Sequence, residues 1–395
     1  MVFDVRAENL LIRLLMRYYF IAGEASGDLH ASNLIRELVK LDRHADVRGF
    51  GGDMMEQAGM QLVKHYREMA FMGLVPVLMN IRTIQRNMKI CEQDLVRFKP
   101  DVLILVDYPG FNLRMAQFAK SRGIRVYYYI SPKIWAWKQG RIKKIKAFVD
   151  EMFTILPFET AFYNQHQYPV NYVGNPVLDA LSRQSGEQSF AAFCRENGLA
   201  EKPVIALLPG SRLQEIRSLL PSMLKASAGM KGFQVVVTAA PNIEDVVYQP
   251  LIVDYPVRLL RGRTYEVLRH AQAAVLASGT VSLEAGIIGC PQVVAYRMAG
   301  GMLTQIIGRR LIKVKWASLV NLILGREAVK ELIQVHFTVA KIKTELDRIL
   351  HDRNHREEIL KSYRELRQKL GEPGASEKAA LLITEKLGAG MKGAG

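Results

Sequence analysis

Three side chains in this sequence follow apolar runs of strand type, and each could do chemistry. Asp107 ends such a run, and a carboxylate there could act as general base on an acceptor hydroxyl. Arg212 follows another run, and its guanidinium offers a fork of donors that matches phosphate oxygens. Glu284 lies one helical turn beyond a third run, where a carboxylate could hold two ribose hydroxyls. The three residues predict group transfer beside a bound nucleotide diphosphate.

Two glycine loops accompany Arg212 and Glu284. Ser211 stands beside Arg212, and the other loop contains Ser278-Gly279-Thr280. Loop amides and hydroxyls at a helix start favour phosphate. A third loop, Gly23–Asp28, follows the first strand, and Glu24, Ser26 and Asp28 are its candidate ligand groups at an acceptor site; a purely structural turn is the alternative.

Each candidate also has a simpler structural interpretation. Asp107 could cap the next helix, a role that Asn112 could also fill. Arg212 could cap the sheet edge or pair with Glu215. Glu284 could merely complement a helix dipole.

Short apolar runs alternate with helical stretches, which predicts parallel sheets covered by helices on both faces. The alternation restarts after Gly174-Asn175-Pro176. The predicted fold class is therefore α/β, with two doubly wound Rossmann-like domains that face a cleft. We expect an N-terminal acceptor and membrane-facing domain over 16–178 and a C-terminal nucleotide-sugar domain over 179–365. A helix over 366–390 is expected to pack back on the first domain.

The composition limits the partners. A formal net charge of +16 indicates a polyanionic partner, and the absence of any nucleic-acid-binding motif favours phosphorylated small molecules or acidic lipid over nucleic acid. Cys91, Cys194 and Cys290 are widely spaced and form no CxxC pair, which indicates a reducing, cytoplasmic compartment. No DxD is present, so we predict no metal and no cofactor.

Residues 70–86 form an apolar stretch edged by cations. Such a patch suits an anionic membrane surface, and a buried core helix is the alternative. No run resembles a spanning helix, so we expect a peripheral protein; residues 1–15 resemble neither a complete signal peptide nor a strand. The candidate membrane residues are Phe71, Met72, Leu74, Val75, Leu78, Met79, Arg82 and Arg86.

Long strings of the sequence resemble the lipid A disaccharide synthases from Met16 onward. They are AGEASGD (22–28), EMAFMGLVPVL (68–78), KPDVLILVDYPGFN (99–112), YYISPKIWAWKQGRIKKI (128–145), LPFE (156–159), LLPGSR (207–212), LASGTVSLE (276–284), VAYRM (294–298) and SLVNLILGRE (318–327).

The resemblance implies a GT-B fold of glycosyltransferase family 19 and a metal-independent, inverting transfer on the inner membrane of a Gram-negative bacterium. The implied substrates are UDP-2,3-diacylglucosamine and 2,3-diacylglucosamine 1-phosphate (lipid X), and the products are the β-1,6-linked disaccharide 1-phosphate and UDP. It carries over a base role to Asp107, catalytic and UDP roles to Arg212, a UDP role to Glu284, and donor-side roles to Arg297 and Asn321. It leaves the oligomeric state open, with a homodimer allowed.

The sequence departs from the family where many members have Gly-His-Pro, since Asn175 replaces the histidine and cannot shuttle protons. Two other functions remain open at this stage. One is a related UDP-sugar epimerase or peptidoglycan transferase, which would not need the apolar patch. The other is a non-catalytic basic protein that binds membranes or nucleic acid.

Overall fold

The computed structural model describes residues 16–69, 80–136, 139–183, 186, 188–297 and 315–392. The chain forms two compact units. The first contains the described residues up to Asp179 and those from Glu372 onward, and the second runs from Ala180 to Gly371.

The first unit contains a parallel sheet of seven strands in the order β3-β2-β1-β4-β5-β6-β7. Its central strands are buried on both faces because their residues are almost all apolar. The strands are β1 (Arg17–Ala22), β2 (Asp46–Gly51), β3 (Gln61–His65), β4 (Val102–Val106), β5 (Arg125–Tyr129), β6 (Glu151–Thr154) and β7 (Asn171–Tyr172).

Helices cover both faces of this sheet, and two separate clusters of buried apolar side chains fill the space between. The helices of this unit are α1 (Ala25–Leu41), α2 (Asp53–Gln57), α3 (Ile81–Phe98), α4 (Pro109–Ser121), α5 (Ile142–Phe148), α6 (Pro157–Gln165), α7 (Pro176–Ser182, whose last three residues belong to the second unit) and α16 (Ala375–Lys392).

The second unit repeats the plan with six parallel strands in the order β10-β9-β8-β11-β12-β13. The strands are β8 (Val204–Leu208), β9 (Gln234–Ala239), β10 (Val257–Arg261), β11 (Ala271–Ala277), β12 (Gln292–Tyr296) and β13 (Lys330–Ile333). The helices are α8 (Phe190–Glu196), α9 (Leu213–Ser227), α10 (Gln249–Ile252), α11 (Thr264–His270), α12 (Thr280–Ile288), α13 (Leu319–Leu324), α14 (Val339–His351) and α15 (Arg353–Leu370).

Each sheet has one point at which the strand order reverses. It lies between β1 and β4 in the first sheet and between β8 and β11 in the second. Doubly wound sheets bind ligands at the carboxyl ends of the strands that flank this point. The loops and helix starts that follow these four strands contain the candidate catalytic, nucleotide-binding and acceptor residues other than Arg297 and Asn321.

The terminal helix α16 packs against α1 within the first unit. The Asp179 carboxylate fixes its start, because it accepts hydrogen bonds from the backbone N–H groups of Gly374 (2.7 Å), Ala375 (3.1 Å) and Ser376 (2.9 Å). One carboxylate thereby satisfies three amides at a helix start that would otherwise lack partners.

Candidate functional site

Asp107 follows β4 with an unusual backbone. Asp107 and Tyr108 both adopt left-handed φ angles, of 43° and 45°, which non-glycine residues rarely do. The Asp107 carbonyl oxygen accepts hydrogen bonds from the Tyr128 hydroxyl and from Asn112 Nδ2, the latter at 2.7 Å. Two donors therefore hold a strained backbone in place, and such strain is typical of functional sites.

The Tyr108 ring fills the order-reversal point of the first sheet. A Cβ atom at Gly23 would lie 2.3 Å from that ring, so only glycine fits beneath it. The Tyr108 hydroxyl donates to the Met69 carbonyl at 2.8 Å. Burial and the nearby charge of Glu24 raise the pKa of this hydroxyl to about 12. The ring thereby closes the space beside Asp107.

The predicted acceptor loop divides into an accessible and a buried part. Glu24 is half-buried and Ser26 is exposed at the start of α1. Asp28 is buried, and its carboxylate accepts from the amides of Gly52 (2.9 Å), Met54 (3.2 Å) and Met55 (3.0 Å), which caps α2. The side chain of Asp28 is thus committed to the fold rather than to an acceptor.

In the second unit, Ser211 and Arg212 are exposed just beyond β8. Arg212 Nη1 donates to Glu215 Oε1 at 2.9 Å, and the Ser211 amide donates to the other carboxylate oxygen at 3.2 Å. Gly210 has a φ of 112°, and a Cβ there would lie 2.4 Å from Glu215 Oε2. The structural alternative for Arg212 is therefore realised, in a pair whose arginine side chain is 52% exposed and whose glutamate side chain is 23% exposed.

The loop after β11 is open. A Cβ atom at Gly279 would meet no atom within 4 Å, and Gly279 precedes α12 without any side chain that caps it. Ser278 Oγ donates to the Ala317 carbonyl at 2.8 Å, and Thr280 is half-buried in the first turn. The loop therefore offers space for a ligand beside the start of a helix.

Glu284 lies on the same helix and accepts a hydrogen bond from the Tyr265 hydroxyl at 3.2 Å. Burial raises its pKa to about 7, since this single neutral donor offsets little of the cost of burying charge.

The resemblance gives donor-side roles to Asn321 and Arg297, and both side chains form hydrogen bonds within the second unit. Asn321 is buried; its amide nitrogen donates to Val329 O (2.9 Å) and Glu331 Oε1 (2.8 Å), and its oxygen accepts from the amides of Ala328 (2.8 Å) and Val329 (3.0 Å). Every hydrogen-bonding position of that amide is used. Asn321 thus fixes the turn before β13, and its donor-side role stays a prediction.

Arg297 is likewise held within the unit. Its guanidinium donates to the carbonyls of Phe337 (2.9 Å) and Ser218 (3.5 Å) and stacks over the Phe337 ring at 5.0 Å. These contacts connect β12 to the segment before α14. The predicted donor-side role of Arg297 would require this anchor to break.

Asn175 directly precedes α7. It is buried, its Nδ2 donates to the Ile155 carbonyl at 3.1 Å, and its Oδ1 accepts from the Val177 amide at 3.0 Å. Asn175 therefore acts as a helix cap in this chain.

The apolar part of the predicted membrane patch, Phe71 to Met79, lies outside the described residues. Arg82 and Arg86 are described and exposed on α3. Among the described residues there is no helix long and apolar enough to cross a membrane, and no group of three or more His, Cys, Asp or Glu side chains that could hold a metal ion.

Comparison with known proteins identifies the family to which the chain belongs. The model of the family described as lipid-A-disaccharide synthetase matches residues 18–385. The chain is also 41% identical over 378 residues to the lipid-A-disaccharide synthase of Myxococcus xanthus, covering 94% of this chain and 97% of that protein. This chain belongs to the lipid-A-disaccharide synthase family.

Membership assigns the chain lipid-A-disaccharide synthase activity in lipid A biosynthesis, with lipid A precursors as its substrates. Structural likeness supports the GT-B fold. A UDP-GlcNAc 2-epimerase of Methanocaldococcus jannaschii, in complex with UDP-GlcNAc and UDP, aligns with a TM-score of 0.63 at 13% identity over 94% of this chain and 100% of that one. The calicheamicin glycosyltransferase CalG4 aligns with a TM-score of 0.59 at 14% identity over 95% and 99%.

Sequence reasoning missed three groups that the fold of this lipid-A-disaccharide synthase brings to the candidate residues. The Tyr128 hydroxyl donates to the Asp107 carbonyl oxygen, the charges of Tyr128 and Asp107 oppose the lowering of the Arg141 pKa that burial causes, and the Tyr265 hydroxyl donates to Glu284. Tyr128 is hidden in a strand rich in tyrosine, and Arg141 is one cation of a basic run. Neither position has a sequence signal that separates it from its neighbours.

Proposed function

We propose that the chain transfers the diacylglucosamine unit of UDP-2,3-diacylglucosamine to the 6-hydroxyl of 2,3-diacylglucosamine 1-phosphate. The products are the β-1,6-linked disaccharide 1-phosphate and UDP. The observation that carries this proposal is Asp107, a carboxylate at the order-reversal point on a strained backbone held by two donors. A base fixed in this way suits the removal of one proton from a bound hydroxyl.

In this proposal, Asp107 takes the proton of the acceptor hydroxyl as its oxygen attacks the anomeric carbon. The bond from that carbon to the UDP oxygen breaks on the opposite face, so the configuration inverts. Arg212 turns from Glu215 to the diphosphate, and the backbone N–H groups that begin α12 donate hydrogen bonds to its oxygens. Glu284 accepts hydrogen bonds from the ribose hydroxyls.

Turnover in neutral detergent micelles that contain EDTA tests the proposal directly. We expect both UDP and the disaccharide 1-phosphate from the two purified substrates. UDP release without a disaccharide would mean another acceptor, and formation of neither product would overturn the donor assignment. If turnover occurs without EDTA but is lost when EDTA is added, the metal-independent mechanism would be overturned.

We also propose that the protein works at an anionic inner-membrane surface. Both substrates are acylated and anionic, and the chain carries a net charge of +16 with Arg82 and Arg86 exposed on α3. Basic side chains add attraction to acidic lipid headgroups, while acyl chains keep the substrates in the bilayer. A homodimer is compatible with this arrangement.

A further inference from the structure

Glu331 lies on the edge strand β13 of the second sheet and is half-buried. Its Oε2 accepts a hydrogen bond from the backbone N–H of Ala317 at 2.7 Å. Its Oε1 accepts from the N–H of Ser318 at 2.9 Å and from Asn321 Nδ2 at 2.8 Å. Three N–H donors therefore converge on one carboxylate, and these charge-assisted bonds hold the segment that leads into α13 against β13.

The same segment contacts the open loop after β11. Ser278 Oγ donates to the Ala317 carbonyl at 2.8 Å. That carbonyl and the Ser318 N–H belong to one peptide group, so a continuous hydrogen-bonded chain runs from the Ser278 hydroxyl to Glu331 Oε1. A carboxylate at one end polarises such a chain and makes the carbonyl at the other end a stronger acceptor. Glu331 therefore strengthens a contact that ends in the loop.

Ser278 is held at a second point as well. Its backbone N–H donates to the Ala295 carbonyl in β12 at 2.8 Å. Its hydroxyl carries a single proton, which is already donated to Ala317. Ser278 thus anchors the loop, whereas the space over Gly279 and the first turn of α12 stay open to a ligand.

We propose that Glu331 is a positioning residue for the donor diphosphate, which it serves through Ala317 and Ser278 without contacting the ligand. This inference rests on the proposed function, in which the N–H groups that begin α12 bind the diphosphate. A site made of backbone N–H groups binds well only when its loop is already ordered, because ordering a loop during binding costs free energy. The chain from Glu331 to Ser278 orders this loop before the donor arrives.

A double-mutant cycle measured with two ligands tests the proposal. Glu331→Gln leaves one acceptor oxygen where two carboxylate oxygens accept three bonds, so at least one N–H loses its acceptor. Ser278→Ala removes the other end of the chain. The dissociation constants of UDP and of uridine are measured by calorimetric competition for wild type, both single variants and the double variant. Glu327→Gln is the matched control, since Glu327 pairs with Lys330 at 3.1 Å on the surface before the same strand.

We expect Glu331→Gln and Ser278→Ala each to raise the dissociation constant of UDP about tenfold, because each breaks the same chain of hydrogen bonds. The double variant should also lose about tenfold rather than about 100-fold, since the two side chains act through one contact. Uridine lacks the diphosphate, so its dissociation constant should stay within about twofold of wild type in every variant. Glu327→Gln should bind both ligands as wild type does.

A loss of about 100-fold in the double variant would overturn the proposal, since additive effects mean that Glu331 and Ser278 act separately. Equal losses for UDP and uridine would overturn it too, because they would indicate a general loosening of the second unit. Ser278→Ala keeps the Glu331 carboxylate and its three bonds, so an unchanged affinity of this variant for UDP would overturn the proposal even if Glu331→Gln did not fold. A wild-type protein that binds UDP no more tightly than uridine would instead contradict the diphosphate site of the proposed function.

Discussion

Strand β4 of the first unit and strand β11 of the second occupy equivalent places in their sheets. Each lies beside the strand at which the order reverses, and each is followed by a loop with a candidate carboxylate nearby. In the first unit, Tyr108 fills the space over Gly23 and the backbone of Asp107 is strained. In the second, Gly279 faces open space and Glu284 is half-buried one turn further on.

The difference shows how one topology can serve two tasks. A filled and clamped loop presents one side chain in one orientation, which suits acid–base chemistry. An open glycine loop at a helix start leaves room for a whole diphosphate. We therefore expect substitutions in the first loop to alter catalysis, and those in the second to alter donor binding.

Asp107→Asn should produce the largest effect. Removing a general base typically costs a factor of about 10² to 10⁴, so we expect kcat to fall by about 10³. The dissociation constant of UDP should stay within about twofold, measured by calorimetry. Asp101→Asn is the matched control, since its carboxylate lies before the same strand and accepts from the Arg17 amide at 2.7 Å. A kcat for Asp107→Asn close to that of the control would remove Asp107 from the base role.

A pair of glycine substitutions separates the filled loop from the open one. Gly23→Ala should lower the free energy of unfolding by about 1–3 kcal/mol, because the new methyl group overlaps the Tyr108 ring. Gly279→Ala should change it by less than about 0.5 kcal/mol and should raise the KM for the donor, because the methyl group enters space meant for the ligand. Urea denaturation measures the free energy of unfolding, and donor kinetics measure the KM. Similar free energies of unfolding for the two variants would contradict the distinction between a filled loop and an open one.

The protonation of Glu284 should give donor binding a pH dependence. With its pKa raised to about 7 by burial, the protonated form stabilises the unliganded fold at low pH, and that contribution is lost as the pH rises through 7. Ribose hydroxyls of the donor would donate hydrogen bonds to Glu284 and so favour its deprotonated form. The affinity for the donor should therefore rise about tenfold from pH 6 to pH 8.

Titration of the donor itself affects both proteins equally. It therefore cancels in the ratio of the donor dissociation constant of Glu284→Gln to that of wild type. We expect this ratio to rise with pH. The control Glu266→Gln, in which a salt bridge to Arg263 is lost, should give a ratio that stays constant. A flat ratio for Glu284→Gln would mean that the carboxylate does not contact the donor.

The smallest expected effect concerns the membrane surface. Arg82→Gln should weaken binding to vesicles with anionic headgroups about fivefold, because one cation near such a surface contributes about 1 kcal/mol. Arg97→Gln, an exposed cation near the other end of α3, should leave binding unchanged. Vesicle co-sedimentation at low and high salt measures both; equal losses would assign the effect to net charge rather than to this end of the helix.

Much of the fold could be predicted, because central strands buried on both faces must be almost wholly apolar. β1, β4, β8 and β12 are of this kind, and the apolar runs at 17–23, 101–107, 204–208 and 292–296 predict them to within a residue or two of their observed bounds. The strands β2, β3, β7 and β13 have no such run, because β7 contains only two residues and polar side chains interrupt the other three. In β2, for example, Arg48 reaches Asp94 at 2.9 Å, so a charged residue sits within a strand of the sheet interior.

The sequence by itself determined the fold class, the family and the loops that follow the strands, since all three depend on local patterns and long matching strings. Only the tertiary structure decided which side chains in those loops are available. Asp28 and Asn321 carry the right chemistry, yet their hydrogen bonds are taken up by distant backbone amides and carbonyls. Tyr128 has no distinctive local pattern, yet folding brings its hydroxyl to the Asp107 carbonyl oxygen. A side chain's chemistry is fixed by its type, but its partners come from parts of the chain that meet only in the folded protein.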